Sequence, residues 1–144
     1  MRIWLAGIAL GVIAAMLWFA KNGNETAVPA AQGAIVAPSG QEVTALDVIR
    51  SAPGPEGLTL RFRFLAPAIG REEGGVSAEA AQADMAWLCE TYALPRLPEI
   101  GPQPAQIVIS LADRPVPFGE VAPDATQFFE AFSRDGDRCV WEAF

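Results

Sequence analysis

Leu58-Thr59-Leu60-Arg61-Phe62-Arg63-Phe64-Leu65 alternates apolar and polar side chains as far as Phe64. A period of two sets Leu58, Leu60, Phe62 and Phe64 on one face of a strand and Thr59, Arg61 and Arg63 on the other. A strand with one apolar face needs a sheet around it and a cover for that face. Immediately upstream, Ser51-Ala52-Pro53-Gly54-Pro55-Glu56-Gly57 is a dense turn signal, and Val43 to Arg50 before it reads as another strand. The two strands are expected to pair as a β-hairpin.

Downstream, Gly74-Gly75 breaks the chain ahead of Ser77, a good helix N-cap, with Glu79 complementing the dipole in the first turn. Ala81, Met85, Leu88, Cys89 and Tyr92 then form an apolar stripe, which predicts a helix to about Tyr92, ended by Pro95. Gln106 to Ala112, centred on Ile107-Val108-Ile109, reads as a buried strand. Asp124 reads as the cap of a second, short helix, with Gln127 completing a capping-box-like pair and Phe128, Phe129 and Phe132 projecting from it. Arg138 to Glu142 closes as a strand. The expected fold class is α+β, a largely antiparallel sheet covered by two helices.

Upstream lies a different composition. Ile3 to Ala20 is a run of 18 residues without a charged or polar side chain. As a helix it is about 27 Å long, against a bilayer hydrocarbon core of roughly 30 Å. Trp4 near one end, Trp18 and Phe19 near the other, and the flanking Arg2 and Lys21 fit a transmembrane helix with a cytoplasmic N-terminus. The run is longer than a signal-peptide core, and Trp18 is bulky for a cleavage site, so a signal-anchor is the first expectation; the alternative is secretion after cleavage. Gly7, Gly11 and Ala15 line one stripe, which would let two such helices approach as a homodimer. Lys21 to Pro38 is rich in Ala, with Gly and Pro, and shows no period, so it reads as a flexible tether. The expected organisation is an anchor over residues 1–21, a linker over 22–38 and a domain over 39–144. The anchor would put that domain in the periplasm, held to the inner membrane by Ile3 to Ala20.

The chain has 144 residues, a net charge of −7, a single lysine and no histidine. Histidine-dependent triads, histidine-ligated zinc and histidine pH sensing are thereby excluded. The acidic balance argues against nucleic acid. No motif for a cofactor or a metal is present; Asp135-Gly136-Asp137 lacks the remaining ligands of a calcium loop and reads as a tight turn. Cys89 and Cys139 are the only cysteines. An even pair in an oxidising compartment reads as a disulfide, against the simpler reading of two separate buried thiols. Arg61 and Arg63 share a strand face and read as solvated residues paired with acids such as Glu42, or as a grip for an anion. Asp113-Arg114 ends a strand beside the proline-stiffened loop that carries Phe118. With Phe128, Phe129 and Phe132, these residues make up the expected partner surface. The function expected is a non-enzymatic, membrane-tethered module that binds an envelope protein. The alternative is a small extracytoplasmic enzyme or ligand binder working through Asp, Glu and Arg.

Several strings carry a resemblance. They are Pro38-Ser39-Gly40-Gln41-Glu42-Val43, Arg61-Phe62-Arg63-Phe64, the run from Ile107 to Gly119, the run from Asp124 to Phe132, and Cys139-Val140-Trp141-Glu142-Ala143-Phe144. Together they resemble a family of small exported alphaproteobacterial proteins catalogued as a domain of unknown function. The resemblance covers the chain from about Pro38 onward. It implies an export signal and a cysteine pair matching Cys89 and Cys139, and it brings no catalytic residue with it.

Overall fold

The structure is a computed structural model, and it describes residues 27–29, 33–50 and 57–143. Its elements in chain order are β1 (Ala27–Pro29), β2 (Ala34–Val36), β3 (Glu42–Arg50), β4 (Thr59–Leu65), α1 (Ala78–Leu88), β5 (Gln106–Ala112), β6 (Gln127–Asp135) and β7 (Arg138–Glu142). Among the described residues the strands form one seven-stranded sheet. β1 and β2 both lie along β3, and β4, β5, β6 and β7 follow in order. Every pairing is antiparallel except β4 with β5, which is parallel. A parallel pair needs a long crossover, and the chain between β4 and β5 supplies it as α1 with its flanking turns.

The alternation read in β4 is what organises the core. Leu60, Phe62 and Phe64 stand opposite Ile107, Ile109 and Leu111 of β5, and all six are buried. Phe132 of β6, opposite Ile107, extends the same face. α1 lies across it with Ala81, Met85 and Leu88, started by Ser77, whose Oγ accepts from the Ala80 amide at 3.2 Å. The helix continues through a π turn over Cys89–Ala93 and a 3-10 turn over Leu94–Arg96. Tyr92 meets Phe64 edge-on with ring centroids 5.1 Å apart. Each large side chain buried this way contributes on the order of 2 kcal/mol, so the helix side of the sheet dominates stability.

Two devices tie peripheral chain to α1. Cys89 is joined to Cys139 of β7 by a disulfide with a Cα–Cα distance of 6.1 Å. The buried Asp84 accepts from the Ser39 amide at 2.9 Å, the Ser39 hydroxyl at 2.5 Å and the Gln41 side-chain amide at 2.7 Å. The turn between β2 and β3 is thereby pinned to the helix.

The expected fold class is corrected. Among the described residues a single α-helix covers the sheet, and the stretch read as a second helix is β6, with Asp124 in the turn before it. Phe128 and Phe132 fit a helical spacing of four, yet they also fit a period of two. The exposed edge of β5 supplied the backbone partners that decided between them. Among the described residues no helix is long and apolar enough to cross a membrane. The expected transmembrane helix therefore gains no support, and the run Ile3 to Ala20 that suggested it, with Gly7, Gly11 and Ala15, lies outside the described residues. Ala27–Pro29 and Ala34–Val36, inside the stretch read as a linker, run as short strands beside β3.

Candidate functional site

The sheet face turned away from α1 gathers most of the polar chemistry. Alternation in β4 sends Arg61 and Arg63 to that face, between Ile49 and Asp47 of β3 and Val108 and Ser110 of β5. Asp47 arrives there through a β-bulge: the register shifts between Ala45 and Asp47, leaving Leu46 as the extra residue. Without it, Asp47 would share the core face with Val43 and Ala45. On the far side of β5, Phe129 of β6 lies opposite Ser110.

The loop after β5 folds over this face. Val116 is buried, and its carbonyl accepts a hydrogen bond from Arg63 Nη2. Flanked by Pro115 and Pro117, the segment is stiff, and it holds the partly exposed Phe118 ring above the two arginines. The Arg61 and Arg63 guanidinium carbons lie 5.7 and 5.8 Å from the Phe118 centroid. Arg61 is also 5.8 Å from the centroid of Phe129, whose side is 52% exposed. These are cation–π distances.

The two arginines differ in how their charge is met. Arg63 Nε is 3.4 Å from Asp47 Oδ1, a cross-strand ion pair. Arg61 has no carboxylate or hydrogen-bond partner among the described residues; its neighbours are the two rings. Burial first, and the Arg63 charge second, lower its pKa from the usual arginine value, although a guanidinium stays protonated throughout the working range. The loop divides the face into two hollows. An open groove of about 580 Å³ is lined by Leu46, Ile49, Arg63, Val116 and Phe118. A tighter cleft of about 130 Å³ is lined by Arg61, Ser110, Phe118, Glu120 and Gln127.

Of the residues expected to form a partner surface, Arg61, Arg63, Phe118 and Phe129 come together here. Phe128 and Phe132 do not, because the β6 register turns both toward α1, where Phe132 is fully buried. Asp113 and Arg114 pair with each other: Arg114 Nε and Nη2 donate to the two Asp113 carboxylate oxygens at 3.0 and 3.1 Å. Asp113 packs so closely on Gly70 that a Cβ there would meet Asp113 Oδ2 at 2.2 Å, so the pair clamps the end of β5 to the turn after β4. Glu42, the acid expected beside the arginines, is replaced in that role by Asp47. Asp47, Ser110 and Gln127 went unread in the sequence. Ser110 carried the one usable signal, as the lone hydroxyl between Ile109 and Leu111. No group of three His, Cys, Asp or Glu side chains is placed to hold a metal among the described residues.

These features define a disulfide-linked β-sheet domain with one helix-covered face and one open face of arginine and phenylalanine. The chain belongs to the Family of unknown function (DUF6497), whose pattern matches residues 16–144. The resemblance to a family of unknown function is thereby borne out. No curated protein and no solved structure matches the chain.

Proposed function

We propose that this protein is an extracytoplasmic binding module whose open sheet face docks an envelope protein, with no catalytic step of its own. The observation that carries this reading is the pair of exposed rings, Phe118 and Phe129, on either side of the half-buried Arg61. Aromatic rings and arginine are the side chains most enriched at the energetic centres of protein interfaces. An enzyme built from Asp, Glu and Arg would instead need two acids converging on a shared cleft. Here Asp47 lines the groove, engaged by Arg63, while Glu120 lines the neighbouring cleft, so the two acids do not share one hollow. The disulfide supports an extracytoplasmic compartment, since such bonds persist outside the reducing cytosol. In this reading the apolar run Ile3 to Ala20 serves export.

Site-specific photocrosslinking in intact cells tests the proposal. A photoreactive side chain at Phe118 is expected to give a discrete protein adduct, while the same group at Ile100, which is apolar and exposed but remote in the loop before β5, gives none. An adduct from Ile100 with none from Phe118 would overturn the assignment of this face.

A further inference from the structure

The smaller cleft has a composition that specifies what enters it. Four side chains with hydrogen-bond donors line it: the Arg61 and Arg63 guanidiniums, the Ser110 hydroxyl and the Gln127 amide. Arg63 is already engaged by Asp47 and the Val116 carbonyl. None of the other three side chains has a hydrogen-bond partner among the described residues; Arg61 has only its ring contacts. A domain of net negative charge thus holds a hollow lined by two arginines, of which Arg61 has no counter-charge among the described residues. The Glu120 carboxylate lines the same cleft from the exposed loop and forms no ion pair with either arginine.

Size narrows the occupant. At about 130 Å³ the cleft falls well below the roughly 300–1,000 Å³ of pockets that enclose whole small molecules. It is large enough for a side-chain carboxylate, given that one water takes about 30 Å³. Across the Phe118 wall lies the open groove, whose Leu46, Ile49 and Val116 suit an aliphatic side chain. A carboxylate in the cleft and an apolar residue in the groove are within reach of neighbouring positions on one extended peptide.

Building on the docking face proposed above, we infer that Arg61, Ser110 and Gln127 bind the carboxylate of an acidic residue on a partner protein, while an adjacent aliphatic side chain of that partner fills the groove beside Phe118. The acid supplies the counter-charge that Arg61 lacks among the described residues, and its negative charge offsets the burial and the Arg63 repulsion that lower the Arg61 pKa. The Phe118 and Phe129 rings hold the guanidinium ready for it, which reduces the ordering cost of binding.

The test uses the isotope-labelled full chain and a terminally blocked peptide of glutamate flanked by two valines on each side. Titration is expected to move the Arg61 side-chain Nε–H resonance together with the Ser110 and Gln127 signals, saturably. Replacing the peptide's glutamate by glutamine should weaken binding at least tenfold, and Arg61→Gln should do the same. Gln127→Glu, at an exposed position, should also weaken the glutamate peptide and so covers the case in which Arg61→Gln fails to fold. Equal binding of the glutamine peptide, or shifts confined to other surfaces, would overturn the inference. Sodium propionate binding as tightly as the peptide would overturn it too, by making this a site for free carboxylates. If the peptide fails while the Phe118 crosslink survives, the docking face stands and carboxylate recognition falls; loss of both removes the face.

Discussion

Asp84 shows how one polar side chain on an apolar stripe can hold two elements together. It sits three residues after Ala81 and four before Leu88, on the buried side of α1, and takes three hydrogen bonds from Ser39 and Gln41. Charge-assisted bonds of this kind are individually stronger than neutral ones, and truncation leaves the donors stranded. Asp84→Ala is expected to destabilise the protein by on the order of 3 kcal/mol in urea unfolding, with the turn at Ser39 losing amide protection first. Asp113 makes a different prediction, in pH. The Arg114 side chain hydrogen-bonded to it is the main cause that holds its carboxyl below the usual carboxylate range. A depressed folded pKa stabilises above the unfolded value, about 3.9, and that contribution fades as pH falls through the folded value. Arg114→Ala should therefore cost stability near neutrality, by a small amount because Arg114 is largely exposed, and the difference from the parent should vanish as pH falls below the folded Asp113 value, read from urea unfolding followed by circular dichroism at several pH values.

Among the elements, β6 is the instructive one. Its sequence offers aromatic residues at 128, 129 and 132, which suit either a short helix or a strand. Local propensity did not choose between them. β5 is buried and needed hydrogen-bond partners along its free edge, and β6 supplies them in register from Ala112–Gln127 to Ile107–Phe132. The two-residue turn at Gly136-Asp137, with Gly136 at φ 59°, then returns the chain as β7. The strand assignment has a direct test. Phe132→Ala should cost about 4 kcal/mol, since it empties a core position. Phe129→Ala, on the open face, should cost about 1 kcal/mol in the same denaturant titration. Equal losses at the two positions would contradict this register. β4 and the helix from Ser77 were legible from their periods, β5 from its continuous apolar run, and β3 from its place before the turn signal over 51–57. The bulge at Leu46 was not, since a one-residue slip leaves no mark on the hydrophobic pattern until pairing reveals it.

At the scale of the molecule, the sheet is stabilised from one side only, and the disulfide links that side to the sheet's far edge. Cys89 in the turn after α1 and Cys139 in β7 close a loop with a sequence separation of 50. Chain-entropy reasoning gives about 4 kcal/mol for a loop of that size. Reduction, or Cys89→Ser with Cys139→Ser, is expected to lower the unfolding free energy by about that amount, read from the urea midpoint, and to free β7 before the strands nearer the core. The open face tolerates such exposure because its buried positions, Ile49, Val108, Ala131 and Val116, are sealed without a second helix, leaving the Phe118 and Phe129 rings outermost.

The amino-acid sequence by itself determined the alternating strand β4, the helix from Ser77, the cysteine pair and the excluded chemistries, because each rests on local spacing or on residue types present or missing. Only the tertiary structure decided that Phe128 and Phe132 face inward on a strand, that Asp47 answers Arg63, and that, among the described residues, Arg61 is left with two rings and no acid. Those outcomes depend on strand register, a bulge and a loop folding back, which are settled by contacts between residues far apart in the chain.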